Sequence, residues 1–397
     1  NFAMTMSKLK ELSVEYNPNI TGTIPESILA LQNLSILSLS NTDMYGTLPS
    51  GMSQLENLEL LLLDDSNFSG SVEVLQNLTN LRYLYLEDNR FNDTIDDNFL
   101  KELDQLVHLD ISANDFRGSS IPAHLFGFPD LKVLDMSSNH RMQGSLPAEA
   151  IANAKGSKLE HLSLHSMNIT GQIPLGISAL KNLTHLDLSL NRLYGDIPPE
   201  LAELTKLQYL FLGRNNFSAG AVPEWLRNMT KLTELSLKAS SLTGIIPDWI
   251  GTDLSKLKFL DFGENSLEGP LPESVGTLSN LWILILNKNN LNGTIPLSFG
   301  QLKSLETFLI DDNQFEGNAD IICARKDKIE YFIADCASNP ETSSDVVEIR
   351  CDCCTLCCHD QNATCNDAEW LGNQESIWEN GYGRVKWEFE AGEISLL

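Results

Sequence analysis

The chain has 397 residues, 42% of them hydrophobic, and carries 54 acidic against 27 basic side chains, for a formal net charge of −27. A phosphate binder needs a basic footprint, so this balance excludes nucleic acid as a natural partner and disfavours anionic membrane surfaces. No apolar run approaches the roughly 18 residues of a spanning helix, and no spacing of carboxylates resembles an EF-hand loop.

In chain order, one pattern repeats. Leucines fall at the first, fourth and sixth positions, an asparagine often follows at the ninth, and a Gly-x-Ile-Pro-like turn comes after. One unit reads Leu183, Leu186, Leu188, Asn191, Leu193, Gly195, Ile197, Pro198. Units start at Leu9, Leu34, Leu58, Leu81, Leu106, Leu131, Leu159, Leu183, Leu207, Leu232, Leu257, Leu281 and Leu305, with a degenerate start at Ile329. Thirteen units fill residues 9–328, a mean period of 24.6 over 320 residues. A fixed period of this length means stacked supersecondary units, a solenoid. Solenoids present broad binding surfaces more often than catalytic centres.

Each position has a physical job. Leu-x-x-Leu-x-Leu suits a short strand with its leucines inward and the intervening residues outward. Stacked strands form an inner parallel sheet at about 4.8 Å per repeat, an arc of roughly 60 Å. The asparagines Asn89, Asn114, Asn139, Asn191, Asn215, Asn265, Asn289 and Asn313 turn inward where the strand ends. Their amides are expected to bond backbone groups of their own and the neighbouring coil. Glycine and proline then make the turn, and segments such as 199–204 read as a 3₁₀ or irregular helical turn.

The Leu-x-Gly-x-Ile-Pro half-repeat, whose proline ten of the thirteen units keep, resembles that of plant-type leucine-rich-repeat ectodomains. The resemblance implies an α/β solenoid: a right-handed superhelix of about 13 repeats with an extra short strand after each main one. The family includes receptor kinases, receptor-like proteins, secreted enzyme inhibitors and adhesion proteins. It also implies a cysteine-capped first coil, which is lacking here, so the sequence reads as a mature or partial chain. Repeats 3 and 4 lack the proline (Val72-Glu73, Ile95-Asp96), and the sixth is long, with additions around His140 and 154–157. These departures read as local loosening of the coil, or as a bulge or partner contact.

All eight cysteines lie late: Cys323, Cys336, Cys351, Cys353, Cys354, Cys357, Cys358 and Cys365. An even number crowded at a solenoid end reads as a disulfide-stapled cap. The rival reading is a thiolate metal cluster. The 105 possible pairings leave connectivity open. Residues 336–358 are similar to the end caps of leucine-rich-repeat proteins from diatoms and related algae. The expected organisation is a solenoid over 1–328, a degenerate repeat with cysteine cap over 329–366, and an aromatic tail over 367–397. In that tail Trp370, Trp378, Tyr382 and Trp387 cluster and residues 384–390 alternate like a strand.

Eleven Asn-x-Ser/Thr sequons begin at Asn19, Asn33, Asn67, Asn77, Asn92, Asn168, Asn182, Asn216, Asn228, Asn292 and Asn362. They point to the secretory route and to N-glycosylation. The ten within the repeats all avoid the third to eighth positions, so glycans would leave the inner face bare.

The third position reads Glu11, Ile36, Leu60, Tyr83, His108, Val133, His161, His185, Tyr209, Glu234, Phe259, Ile283, Thr307. From Tyr83 to Tyr209 this is a nearly unbroken row of rings, with Tyr85, His165 and Phe211 beside it. Such side chains suit a binding face; they also suit a ladder that only packs on itself. With Phe259, these are the candidate ligand contacts. Asp64, Asp65, Glu87, Asp88, Asp110, Asp135, Asp187, Asp261, Glu264, Asp311 and Asp312 flank them, and the aspartates of the Leu-Asp-Leu/Ile-Ser signature read as structural. Val133 interrupts the histidines, so no metal site is assigned, and no cofactor is expected. No nucleophile elbow, phosphate loop or His-Glu-x-x-His motif appears, so the chain reads as a non-enzyme.

The expected protein is therefore an extracellular or cell-surface glycoprotein that recognises a peptide, protein or polysaccharide through its inner or lateral surface. The alternative is a structural subunit of a filament, sheath or adhesive, self-associating through its ends and tail.

Overall fold

The computed structural model describes residue 6 and residues 8–324, 329–336 and 349–358. The expected boundaries at 328 and 366 fall outside these residues, as do Asn362, Cys365 and the aromatic tail. The chain divides into two compact units, Asn1–Lys231 with Leu237–Ser241, and Leu232–Ser236 with Leu242–Leu397.

In both units each repeat forms a three-residue strand over its third to fifth positions, as at Leu60–Leu62, His185–Asp187 and Ile283–Ile285. The parallel ladder has fifteen strands, and their order follows the sequence. Thirteen come from the regular repeats. The degenerate unit adds Tyr331–Ala334, and Leu356–Cys357 adds a strand that no leucine pattern announces. The leucine pattern works as expected: Leu183, Leu186 and Leu188 are all fully buried. A second series of short strands follows the main one, such as Ile169–Gly171 paired with Arg192–Gly195. On the far side of the coil sit 3₁₀ turns, for example Pro199–Glu203, which buries Leu201. The long sixth repeat replaces its 3₁₀ turn by the α-helix Ala148–Asn153.

The strands are short because the eighth position of each repeat turns the chain into the left-handed region. Tyr16, Asn41, Asp65, Asp88, Ala113, Ser138, Ser166, Leu190, Arg214, Ala239, Glu264, Lys288 and Asp312 all have φ between 46° and 56°. None is glycine, so each stands about 1–2 kcal/mol above an ordinary conformation. The turn aims the N–H at the next coil: Ala113 N donates to Ser137 O and Lys288 N to Asp311 O, both at 2.9 Å. A bond that satisfies an otherwise orphaned backbone group offsets the strain.

The ninth-position asparagines do what their spacing predicts. Asn139 is fully buried. Its Nδ2 donates to Ile111 O of the preceding coil and to Met136 O and Ser137 O of its own, while Oδ1 accepts from Phe116 N at 3.1 Å. Asn313 repeats the arrangement with Leu286 O, Ile310 O, Asp311 O and Leu291 N. Asn17 holds the same position in the first coil and donates to Val14 O and Glu15 O. Phenylalanines stack between coils, with Phe91 6.5 Å from Phe68 and 6.4 Å from Phe116.

Disulfides close the last coils: Cys323–Cys353, Cys336–Cys357 and Cys351–Cys354, and Cys358 is disulfide-bonded too. The metal-cluster alternative falls here. Cys323, Cys351 and Cys353 lie close enough to share an ion, as do Cys336, Cys351 and Cys354. Oxidised sulfur, however, has no thiolate to offer a metal.

Candidate functional site

In the first unit, consecutive strands set the third and fifth positions in register. Tyr83 lies opposite His108, His108 opposite Val133, Val133 opposite His161, His161 opposite His185, and His185 opposite Tyr209. The fifth positions run Tyr85, Asp110, Asp135, Ser163, Asp187, Phe211. A strand spacing near 4.8 Å lets rings on adjacent strands stack against one another, and the side chains use it. The rings of His161 and His185 stack at 4.1 Å, His185 and Tyr209 at 5.3 Å, and Tyr85 leans on His108 at 4.2 Å. Phe211 adds an edge, 5.9 Å from His185.

This lateral stacking consumes most of the ring surface. His108, His161, His165, His185, Tyr85 and Phe211 are all buried, whereas Tyr83 and Tyr209 are half-buried. Phe259 belongs to the second unit, where it is 2% exposed beside Ile283. The row is thus a packed ladder whose open rims are its two tyrosines.

The flanking carboxylates divide by role. Asp135 and Asp187 each accept from the N–H and the hydroxyl of the serine two residues on, Ser137 and Ser189, at 2.9 and 2.6 Å. That is the structural duty expected of the Leu-Asp-Leu/Ile-Ser signature. Asp135 also lies 3.7 Å from Nε2 of His161. Burial opposes the Asp135 charge, but hydrogen bonds and attraction from His161, with His165 and Ser137, hold its carboxyl below the usual range. Burial pushes His108 down to about 3, with repulsion from His161 in the same direction, and burial lowers His185 as well. Nearer the N-terminus, Asp64, Glu87 and Asp110 crowd around Tyr85. Burial, then Asp110 and Asp64, raises the Glu87 carboxyl to about 10, and its Oε2 has no hydrogen-bond partner. Burial and then Asp135 raise Asp110. With these carboxyls shifted toward the neutral acid, the stretch offers hydrogen-bonding groups rather than a fixed negative charge.

The sequence reading missed a cleft of about 220 Å³ on the short second strands, lined by Gln143, Gly144, Asn168, Thr170 and Arg192. Its only signal was the extra chain near His140 in the long sixth repeat. Seven described sequon asparagines are exposed, and Asn67, Asn168 and Asn182 are half-buried. Among the described residues, no helix is long and apolar enough to cross a membrane.

Three leucine-rich-repeat family models match the chain: a leucine-rich repeat region at residues 111–248, leucine rich repeat at 79–140, and Leucine Rich Repeat at 256–278 and 280–302. Receptor-like protein 31 of Arabidopsis thaliana is 38% identical over 209 residues, covering 53% of this chain and 23% of its own length. The crystal structure of a TDR receptor superposes with a TM-score of 0.73 at 30% identity, over 82% of this chain and 55% of that one. A plant peptide hormone receptor, RGFR1 in complex with RGF2, gives 0.68 at 29% identity, over 83% and 51%. The chain thus spans about a quarter of the length of that curated relative. The matched segments stop at residue 302, so they lend no support to a likeness between the cysteine-rich end and algal caps. The leucine-rich-repeat ectodomains that these matches cover are non-catalytic. The repeats, the ladder of asparagines and these matches make the chain a leucine-rich-repeat protein related to the ectodomains of plant receptor-like proteins and receptor kinases.

Proposed function

We propose that the protein is an extracellular recognition module that takes an extended peptide along the sheet face of its first unit. The observation that carries this reading is the row from Tyr83 to Phe211. Its rings are locked by stacking, its rims are half-open tyrosines, and carboxylates border it on one side. A preorganised aromatic surface loses little side-chain entropy on binding. Tyr83 and Tyr209 touch the ligand; His108, His161, His165 and His185 set the spacing of the row; Glu87 and Asp110, whose buried carboxyls are shifted toward the neutral acid, offer hydrogen bonds to it. Two findings on related molecules support the assignment. RGFR1 is described as a plant peptide hormone receptor and was solved with RGF2, and PEPR1, 32% identical in sequence, was solved with AtPEP1. None of the ten sequons in the repeats stands at a third to eighth position, so glycans would leave this face open.

The test is selection of peptides on the native glycoprotein, followed by calorimetry with Tyr83→Ala and Tyr209→Ala. Each change should weaken a selected peptide by roughly tenfold or more, the size of an aromatic hot spot. Unchanged affinity in the double variant, with folding intact by thermal melting, would remove this face from consideration.

A further inference from the structure

We infer that Asn168 carries an N-linked glycan whose first N-acetylglucosamine is seated in the cleft formed by Gln143, Thr170 and Arg192. The inference shares with the proposed function only the secretory route, not the ligand.

The sequon Asn168-Ile169-Thr170 contributes its own first and third residues to the cleft wall. The local fold explains why. Repeat 7 has Met167 where the ladder asparagine should be, and after the left-handed eighth residue common to all repeats, here Ser166 at φ 55°, Asn168 is left-handed as well, at φ 54°. Asparagine tolerates that conformation better than most residues. The turn lays the Asn168 side chain across the preceding coil, where Nδ2 donates to His140 O at 2.6 Å. A carboxamide nitrogen has two hydrogens. One holds His140 and the other is replaceable.

The side chains at the cleft are Gln143, Asn168, Thr170 and Arg192, all with polar ends. Thr170 Oγ1 donates to Gly144 O at 3.1 Å, which leaves its lone pairs as acceptors. Arg192 stands opposite Thr170 in the second series of strands, is exposed, and makes no hydrogen bond or ion pair among the described residues. Its fan of donors, with the Gln143 amide, matches the acetamide carbonyl and hydroxyls of a sugar. In the attachment step, Nδ2 of Asn168 bonds to the anomeric carbon of a polyprenyl-diphosphate-linked oligosaccharide. The carbon–oxygen bond to the diphosphate breaks, the polyprenyl diphosphate leaves with the electron pair, and the proton lost by Nδ2 passes to solvent.

The experiment uses the full chain secreted from a eukaryotic host. Glycopeptide mass spectrometry reads occupancy, and an amidase that cuts the asparagine–sugar bond is applied under native conditions. Two additional hydrogen bonds to the sugar should slow release at Asn168 by about tenfold relative to the exposed Asn292. Arg192→Ala and Gln143→Ala should each recover part of that rate, and denaturation should equalise the two sites. Equal native release at Asn168 and Asn292 overturns the inference, as does an empty Asn168 in a chain occupied at Asn33 and Asn292. A chain bare at every sequon overturns both this inference and the extracellular reading. Loss of peptide binding alone touches only the proposed function.

Discussion

The two units are built on one scaffold and wear different faces. Both use buried asparagines at the ninth position and left-handed residues at the eighth, with bond lengths that match within a few tenths of an ångström. Their third and fifth positions diverge. The first unit places Tyr83, His108, His161, His185 and Tyr209 on the sheet, bordered by Glu87 and Asp110. In the second, after Glu234, Ser236 and Asp261, these positions turn mainly apolar and buried at Ile283, Ile285 and Leu309, with Thr307 among them. Scaffold positions must repeat, because each bonds the coil before it. Face positions contact only their lateral neighbours, so they can specialise over a few repeats without disturbing the rest. The polar run of the first unit is where the chain departs from the cheapest packing, which is why the proposed ligand is placed there.

If the scaffold is truly shared, breaking the same rung in each unit should cost the same. Asn139→Ala leaves Phe116 N–H and the Ile111 and Met136 carbonyls without their partner. Asn313→Ala does likewise to Leu291 N–H and the Leu286 and Ile310 carbonyls. Each buried group left unsatisfied costs about 1–3 kcal/mol, so either variant should lose at least about 3 kcal/mol in denaturant unfolding. Asn17→Ala, at an exposed end, should lose a small fraction of that. A cost that differed several-fold between Asn139 and Asn313 would show that the rungs are not equivalent.

Acidification should separate His108 from Asp311, because these two buried groups titrate in opposite senses. His108 is held down to about 3 by burial, then by His161. It is neutral in the fold and binds a proton near its ordinary value of about 6.5 once unfolded. The stability it permits is therefore whole above pH 6.5 and is lost as pH falls toward 3, at about 1.4 kcal/mol per pH unit. Asp311 in the second unit is raised to about 7 by burial, then by Asp335. The folded state there holds a proton that the unfolded chain releases, so stability rises as pH falls from 7 toward 4, with a similar slope. Between pH 6.5 and 4.5, His108→Gln should retain about 2–3 kcal/mol that the wild type loses, and Asp311→Asn should forgo a gain of similar size. Paired unfolding curves at the two pH values read both differences. The same sign for both variants would refute the contrast.

Much of this was legible in the residues, for a physical reason: whatever must recur in each coil leaves a period. The leucines, the turn glycines and prolines and the ladder asparagines all bond or pack between coils, and the sequence places them correctly. Asn17 obeys the same period, and its donor bonds stay within the first coil. The strand Leu356–Cys357 escaped because disulfides rather than leucines position it. The burial of His161 and His185 could not be read at all. It depends on whether neighbouring rings stack or splay, and a list of third-position residues is equally compatible with both. The cleft at Asn168 arises from an irregularity, extra chain at His140 and a missing asparagine at Met167, and irregularities carry no period to detect.

The eighth position is the sharpest case of a scaffold feature hidden from the sequence. Its occupants include Asn41, Asp88, Ala113, Leu190, Arg214 and Lys288, which share neither size, charge nor turn preference, yet all have φ near +50°. Glycine, the usual signal of that conformation, is absent from every one. The geometry is therefore imposed from outside the residue, by the N–H bond to the next coil, such as Ala113 N to Ser137 O. Ala113→Gly should then stabilise the first unit by up to about 1 kcal/mol, because it removes the strain of a Cβ in the left-handed region while keeping that bond. The gain is limited by the greater freedom glycine has in the unfolded chain. Ala113→Val should cost more than the glycine change gains, since a branched Cβ fits this region worst. Thermal melting of the three proteins ranks them. If valine were tolerated as well as alanine, the strain would be relieved by the turn itself, and the eighth position would be a passive joint rather than the place where each coil is forced onto the next.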